Sequence, residues 1–229
     1  MIIGSGLLAR SFSCAYALRD DICLYAAGVS NSTCVDHREF LRERKRLEEA
    51  LQKTAHLDGF VYFGTCSIAD PDARKTPYVQ HKLEMEKIVS RHPRYLILRL
   101  PQVAGKTPNP HTLLNFLYAR IARSESFNLW RTAKRNIIDI SDASSIAEHL
   151  ISDISARNTI INIANQVNYS IVEIVRELAR ITGKKAVYKS VDRGSSYLID
   201  ISDISNIIDN AGFNFGKDYL TNVLEKYYK

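Results

Sequence analysis

No apolar run in this 229-residue sequence is long enough to span a bilayer, which excludes a membrane-crossing helix. Nothing basic or signal-like precedes the first apolar strand, Met1-Ile2-Ile3, so a cytoplasmic protein with no membrane partner is expected. Cysteine is scarce. Cys14, Cys23, Cys34 and Cys66 follow no metal-ligand spacing, so reduced thiols and no metal site are expected. Internal repeats and low-complexity tracts are absent too, as is any block of charge of one sign. The net charge is +6, but Arg42, Arg44, Lys45 and Arg46 alternate with Glu39, Glu43, Glu48 and Glu49. That alternation reads as a solvated helix face and argues against a nucleic-acid partner. The mild positive excess suits an anionic small ligand such as a nucleotide diphosphate.

What is present alternates between strand and helix. A Gly turn, Gly4-Ser5-Gly6-Leu7-Leu8-Ala9, follows Met1-Ile2-Ile3 at once, and residues 7–18 read as a helix. Residues 22–27 form a buried-strand pattern ending in the small residues Ala26 and Ala27. A charged helix is expected over 36–53, with Phe40, Leu47 and Leu51 on one stripe and Asp36 with Glu39 as a capping box. Strand 59–63, helix 78–90, strand 94–100 and helix 112–123 follow. A further strand is expected at 136–140, a helix at 142–155 and a strand at 159–163. The helix over 170–182 is stopped by Gly183. Residues 186–190 and two last helices complete a smaller lobe. Repeated strand-helix units predict an α/β fold with a parallel sheet flanked by helices. Residues 1–110 are expected to form a dinucleotide-binding core. Residues 111–229 would complete the sheet and build the small C-terminal lobe.

The chemistry concentrates in two places. A strand, a Gly-rich turn and a helix start form a seat for a dinucleotide pyrophosphate. Downstream, Thr65 ends an apolar strand, and Tyr78 and Lys82 lie four residues apart on one helix face. An ammonium beside a phenol favours the phenolate. A fall of about three pH units from the usual value near 10, roughly 4 kcal/mol, would let Tyr78 carry protons near neutral pH.

In this order and context the chain resembles the extended short-chain dehydrogenase/reductase family, the epimerases, dehydratases and reductases of nucleotide sugars. The resemblance implies that Tyr78 is the general acid/base, that Lys82 tunes it and holds the nicotinamide ribose, and that Thr65 binds the reacting sugar oxygen. It implies that NAD or NADP sits on Gly4, Ser5, Gly6, Leu7 and Leu8, on Ala26, Ala27 and Gly28, and on Pro101 and Val103. Cys66, Ser67, Asn109, His111, Arg135 and Arg193 become candidate substrate contacts, the two arginines on the diphosphate, with Asn115 a weaker candidate. The segment Arg135 to Asp142 resembles the family's Arg-x-Phe-x-x-Val-x-Asp, and Asn162 to Asn165 its Asn-x-Gly-x. Dehydratases of the family carry Asp-Glu after the Thr, whereas Cys66-Ser67 is not acidic, which disfavours dehydration. Gly64-Thr65-Cys66-Ser67-Ile68 is closer to the Gly-Ser-Ser-Cys-Ile of GDP-fucose synthases, with Cys and Ser exchanged. Trp130 could stack on a base or serve as a core aromatic.

One piece of the family pattern is missing. An acidic residue should follow the Gly turn by about 20 positions, at the end of a second strand. Asp20 and Asp21 stand near that distance, yet Leu24 to Ser32 resembles the family's fourth strand and its Ala-Ala turn. The second and third strands therefore read as deleted, leaving the order 1-4-5-6-7 with strand 1 at an edge. The alternative is that 22–27 is an ordinary second strand. The function expected is NAD(P)-dependent reduction of a keto group on a nucleotide-activated sugar, a 4-keto hexose being favoured. A 4-epimerase with bound NAD and a catalytically inactive binding relative are the alternatives. A homodimer through helices 36–53 and 78–90 is implied by the resemblance.

Overall fold

The computed structural model describes residues 1–16, 19–152 and 158–229, except for the side chains of Cys14 and Ala15. The ends of the helices expected over 7–18 and 142–155 therefore lie partly outside the described residues.

The main sheet is parallel throughout. It joins β1 (Ile2–Ile3), β2 (Ile22–Tyr25), β3 (Gly59–Thr65), β4 (Tyr95–Leu100) and β8 (Thr159–Asn162), in the order β1-β2-β3-β4-β8. β2 is buried at every position, as a strand covered on both faces must be. It lies between β1 and β3, and β1 stands at the edge. An ordinary second strand would lie on the far side of β1, so the shortened order inferred from Leu24 to Ser32 is the one observed.

Helices cover both faces. On one side α3 (His37–Lys53) and α4 (Pro77–Val89) pack Leu47, Ala50, Met85 and Val89 against Tyr25, Phe60, Tyr62 and Ile97. On the other lie α1 (Leu7–Ser11), α2 (Ser13–Tyr16), α5 (Leu113–Ala122), α6 (Ile140–Ile151), α7 (Ile171–Thr182), α8 (Ser205–Ala211) and α9 (Tyr219–Tyr228). They share one large core that runs from Phe12 to Leu224 and includes the other face of the sheet. Burying that much apolar surface is what stabilises the fold.

Two small sheets complete the molecule: β5 (Gln102–Ala104) with β7 (Lys134–Asp139) and β9 (Asn168–Ser170), and β6 (Phe127–Trp130) with β10 (Tyr188–Val191). β5, β6 and β9 are only three or four residues long, too short to show a period of two in the sequence. Helix termini follow local chemistry. Thr76 caps α4, with Pro77 in its first turn, and Gly183 ends α7 at φ 64°. At α3 the Asp36 side chain accepts from the Arg38 N–H, while Glu39 pairs with Arg42, so the expected capping box does not form. The reciprocal box occurs at Ser170 and Glu173. None of the described helices is long and apolar enough to cross a membrane.

Candidate active site

The C-terminal ends of β1, β2, β3 and β4 open into a cleft of about 550 Å³. This is where open parallel sheets bind ligands. Its lining brings together the Gly turn (Gly4 to Leu8), the β2 turn (Ala26 to Gly28), Thr65 at the end of β3 and Ser67 just beyond it, Tyr78 and Lys82 on α4, Pro101 and Val103 after β4, and Asn109 and His111.

Gly4 adopts φ 141°, a region open to glycine, and a Cβ there would lie 2.5 Å from the Ala26 carbonyl oxygen. A Cβ on Gly6 would meet nothing within 4 Å. The turn is thus pressed against β2 on one side and open to the cleft on the other. That geometry fits a dinucleotide pyrophosphate lying against bare backbone.

Tyr78 and Lys82 sit in the first turns of α4, both largely buried. Their side chains face the same way, with the ammonium 5.9 Å from the centre of the Tyr78 ring. The expected acidification of the phenol is not found. Burial, the largest influence, pushes the Tyr78 pKa above its ordinary value; Lys82 pulls it down, Glu43 pushes it up again, and Thr65 assists the phenolate. Desolvation of a phenolate outweighs an ammonium several ångströms away, all the more when that ammonium is already engaged.

The engaging group is Glu43 of α3, a residue absent from the sequence-level candidates. Lys82 Nζ donates to its Oε1 at 2.9 Å and to the Tyr62 hydroxyl at 3.3 Å. Tyr62 donates to Oε1 at 3.0 Å, the Val29 N–H donates to Oε2 at 2.6 Å, and His81 Nε2 lies 3.0 Å from Oε2. Burial pushes this carboxyl up, but Lys82, His81 and Val29 prevail and hold it down at about 2. A signal existed in the sequence: residue 43 falls on the stripe of Phe40, Leu47 and Ala50, the buried face of α3.

Three substrate candidates lie elsewhere. Cys66 is 2% exposed, and its thiol donates to the Arg99 carbonyl inside the core, away from the cleft lining. The backbone turns into a short 3-10 helix at Cys66–Ala69, so Thr65 and Ser67 face the cleft while Cys66 points inward. Arg135 contacts Asp70 at 3.7 Å and the carbonyls of Lys134 and Ser195. The Arg193 guanidinium lies 5.3 Å over the Trp130 ring, which is 38% exposed and so not a core aromatic. Neither arginine lines the cleft. Asn115 is a brace: it donates to the carbonyls of Thr107 and Asn109 and accepts from the Tyr228 hydroxyl. Asp21 pairs with Arg19, and neither it nor Asp20 lines the cleft. In their place, among the described residues, the lining holds the guanidinium groups of Arg10 and Arg46 and no carboxylate.

Residues 30–164 match the sequence model of the NAD dependent epimerase/dehydratase family, more than half of the chain. The chain belongs to that family. A search of curated proteins finds no match. Among solved structures, RMD from Pseudomonas aeruginosa, complexed with NADPH, superposes with a TM-score of 0.74 at 15% identity, covering 98% of this chain and 95% of that one. UDP-glucuronic acid 4-epimerase from Bacillus cereus, in complex with UDP-glucuronic acid and NAD, gives 0.73 at 18% identity, covering 99% and 88%. The dTDP-glucose 4,6-dehydratase of Bacillus anthracis, in complex with NAD, gives 0.69 at 14% identity, covering 98% and 77%. At these identities the likeness is one of fold. It agrees with the family assignment and with the parallel sheet described above.

Proposed function

We propose that the chain reduces a keto group on a nucleotide-activated sugar, a 4-keto hexose being the favoured substrate, with NADH or NADPH as reductant. The observation that supports this is the convergence of Thr65, Tyr78 and Lys82 beside the Gly turn in one cleft. A nicotinamide dinucleotide, when bound, supplies the hydride. Gly4 to Leu8, Ala26 to Gly28, Pro101 and Val103 would hold it. Tyr78, a phenol at neutral pH, gives its proton to the carbonyl oxygen as that oxygen gains charge, and Thr65 aligns the same oxygen. The family's dehydratases place two carboxyls after this Thr, and Cys66-Ser67 offers neither. Two of the structural relatives act on or hold nucleotide sugars, which supports that substrate class here.

The 4-epimerase reading uses the same side chains. β1 is an edge strand of two residues, so the adenosine end of the cleft has little wall. That supports a cofactor released each cycle over one retained through an oxidation and re-reduction. The α3 and α4 side of the molecule exposes Val35 and Leu41, and a homodimer through these helices is part of the proposal; sedimentation as a monomer would refute it. The function itself is tested by titrating the protein with NADH and NADPH and then following nicotinamide absorbance with a nucleotide 4-keto sugar. Stoichiometric oxidation supports the reductase. Inversion at C4 of a nucleotide sugar bearing a C4 hydroxyl, without net change in the cofactor, points to the epimerase, and no binding up to millimolar cofactor leaves an inactive relative.

A further inference from the structure

We propose that Glu43 is a positioning residue: its buried carboxylate takes up the charge of Lys82 and keeps Tyr78 in its protonated, proton-donating form. The inference rests on the reading of Tyr78 as the proton carrier. It adds a fourth side chain to the Thr65, Tyr78 and Lys82 set.

The geometry carries it. The Glu43 side chain is 1% exposed and receives four hydrogen-bonding groups, from Lys82, Tyr62, His81 and the Val29 backbone. A Cβ on Gly28 would lie 2.5 Å from Lys82 Nζ and 2.8 Å from Glu43 Oε1, so the chain leaves out a side chain where the pair sits against the cleft. The ammonium lies 2.9 Å from the carboxylate oxygen and 5.9 Å from the centre of the Tyr78 ring. From the phenol, Lys82 and Glu43 together present a dipole rather than a free positive charge, and a dipole's pull fades faster with distance. The remaining groups around the pair are neutral or paired. β2 and β3 present the Tyr25 and Tyr62 phenols and Thr65. α4 presents His81, and Glu86, which is bound to Arg99 of β4 at 2.6 Å. Arg46 of α3 is exposed at the cleft lining, where water screens it. Glu43 is therefore the charge that decides how strongly Lys82 acts on Tyr78.

The consequence is chemical. A reduction needs a phenol: the O–H bond of Tyr78 breaks, the proton goes to the substrate oxygen as hydride arrives at carbon, and solvent reprotonates the phenolate. Alcohol oxidation needs the phenolate at the outset. With Lys82 neutralised, the resting site at neutral pH holds the phenol that the reductive step consumes.

The test is the titration of Tyr78 itself, in protein carrying ring-labelled tyrosine, followed by carbon NMR with no substrate present. The resonance is assigned by its loss in Tyr78→Phe. In Glu43→Gln the midpoint is expected about one pH unit lower, a tenfold change in proton affinity. Glu43→Asp, which keeps the charge, is expected to return the midpoint toward that of the unsubstituted protein. An unchanged or higher midpoint in Glu43→Gln overturns the proposal. Should that variant not fold, Tyr78 mostly ionised at about pH 9 in the unsubstituted protein overturns the proposal. The readout needs no turnover. An expected shift without any reductase activity would sink the proposed reaction and leave the Glu43 effect standing.

Discussion

Gly4 and Ala26 are in backbone contact across the mouth of the cleft. A methyl group on Gly4 would stand 2.5 Å from the Ala26 carbonyl oxygen and 3.2 Å from the Ala27 nitrogen, and φ at Gly4 is 141°. Two costs combine in Gly4→Ala: an unfavourable backbone region, about 1–3 kcal/mol, and a collision with backbone that cannot swing away. The turn would have to part from β2, on which the Ala26-Ala27 side of the cleft depends. The variant is expected to bind NAD(P)H at least tenfold more weakly and to melt several degrees lower. Fluorescence titration and calorimetry check the two effects. Unaltered binding would remove the Gly turn from the cofactor site.

Tyr78 supports the proposed chemistry through one oxygen. Its ring packs with Phe40 and Val79, and phenylalanine preserves that packing. Tyr78→Phe is expected to lower turnover about a hundredfold or more, the usual scale of a lost proton carrier, with the fold intact. Steady-state kinetics with circular dichroism checks it, and wild-type rates in the variant would take Tyr78 out of the mechanism.

The sheet order was legible because each of its signals is local. A strand, a Gly turn and a helix start follow one another within nine residues. Tyr78 and Lys82 are a helical turn apart, and Ala26-Ala27 marks the strand that had to lie beside β1. Glu43 was hidden for the opposite reason. Its neighbours Arg42, Arg44, Lys45 and Arg46 make the segment look solvated, and although residue 43 falls on the apolar stripe of α3, the groups that hold a carboxylate there lie on β3 and α4. The pKa of Tyr78 was misjudged on the same account: the spacing reveals the ammonium but neither the burial of the phenol nor the carboxylate on another helix. Cys66 was placed in the cleft by its neighbours Thr65 and Ser67, and the 3-10 turn reverses its direction.

Glu43 also makes stability depend on acid. Its pKa falls from an ordinary 4.5 to about 2 on folding, burial notwithstanding, because Lys82, His81 and the Val29 N–H favour the carboxylate. A group depressed in the folded state contributes its stability above the unfolded pKa and loses it as pH falls through the folded one. The contribution is on the order of 3 kcal/mol, and it is lost between about pH 5 and pH 2. Denaturant unfolding across that window is expected to show the loss in the unsubstituted protein and a shallower slope in Glu43→Gln. Glu43→Ala, which strands a buried ammonium, is expected to cost about 3–5 kcal/mol at neutral pH.

Cys66 is expected to be inert. Burial pushes its thiol well above the ordinary range, with Arg99 too weak to offset it, and the thiolate is the reactive form. Thiol alkylation of the folded protein is expected to spare Cys66 and to modify the half-buried Cys34 ahead of it. Cys66→Ala is expected to keep activity within a few-fold, whereas Ser67→Ala, at the cleft, is expected to raise KM. Mass spectrometry of labelled peptides and kinetics of the two variants check this. Rapid labelling of Cys66 would place its thiol in the cleft after all.

Cofactor choice follows from the charges that line the cleft. Arg10 reaches the Ser5 carbonyl at 3.2 Å and the Lys106 carbonyl at 3.3 Å, so its guanidinium is held beside the Gly turn. Arg46 stands at the lining on the α3 side, and among the described residues no carboxylate lines the cleft to grip a ribose 2′-hydroxyl. A phosphate on that hydroxyl gains charge-assisted hydrogen bonds from a guanidinium, and a bare hydroxyl gains much less. NADPH is therefore expected to bind about tenfold more tightly than NADH at low salt, roughly 1.4 kcal/mol, with the margin shrinking as salt screens the exposed arginines. Arg46→Gln and Arg10→Gln, measured separately by cofactor fluorescence, are expected to lower NADPH affinity while leaving NADH nearly unchanged. Equal affinities in the unsubstituted protein, or equal losses for both cofactors in the variants, would show that neither guanidinium meets a 2′-phosphate.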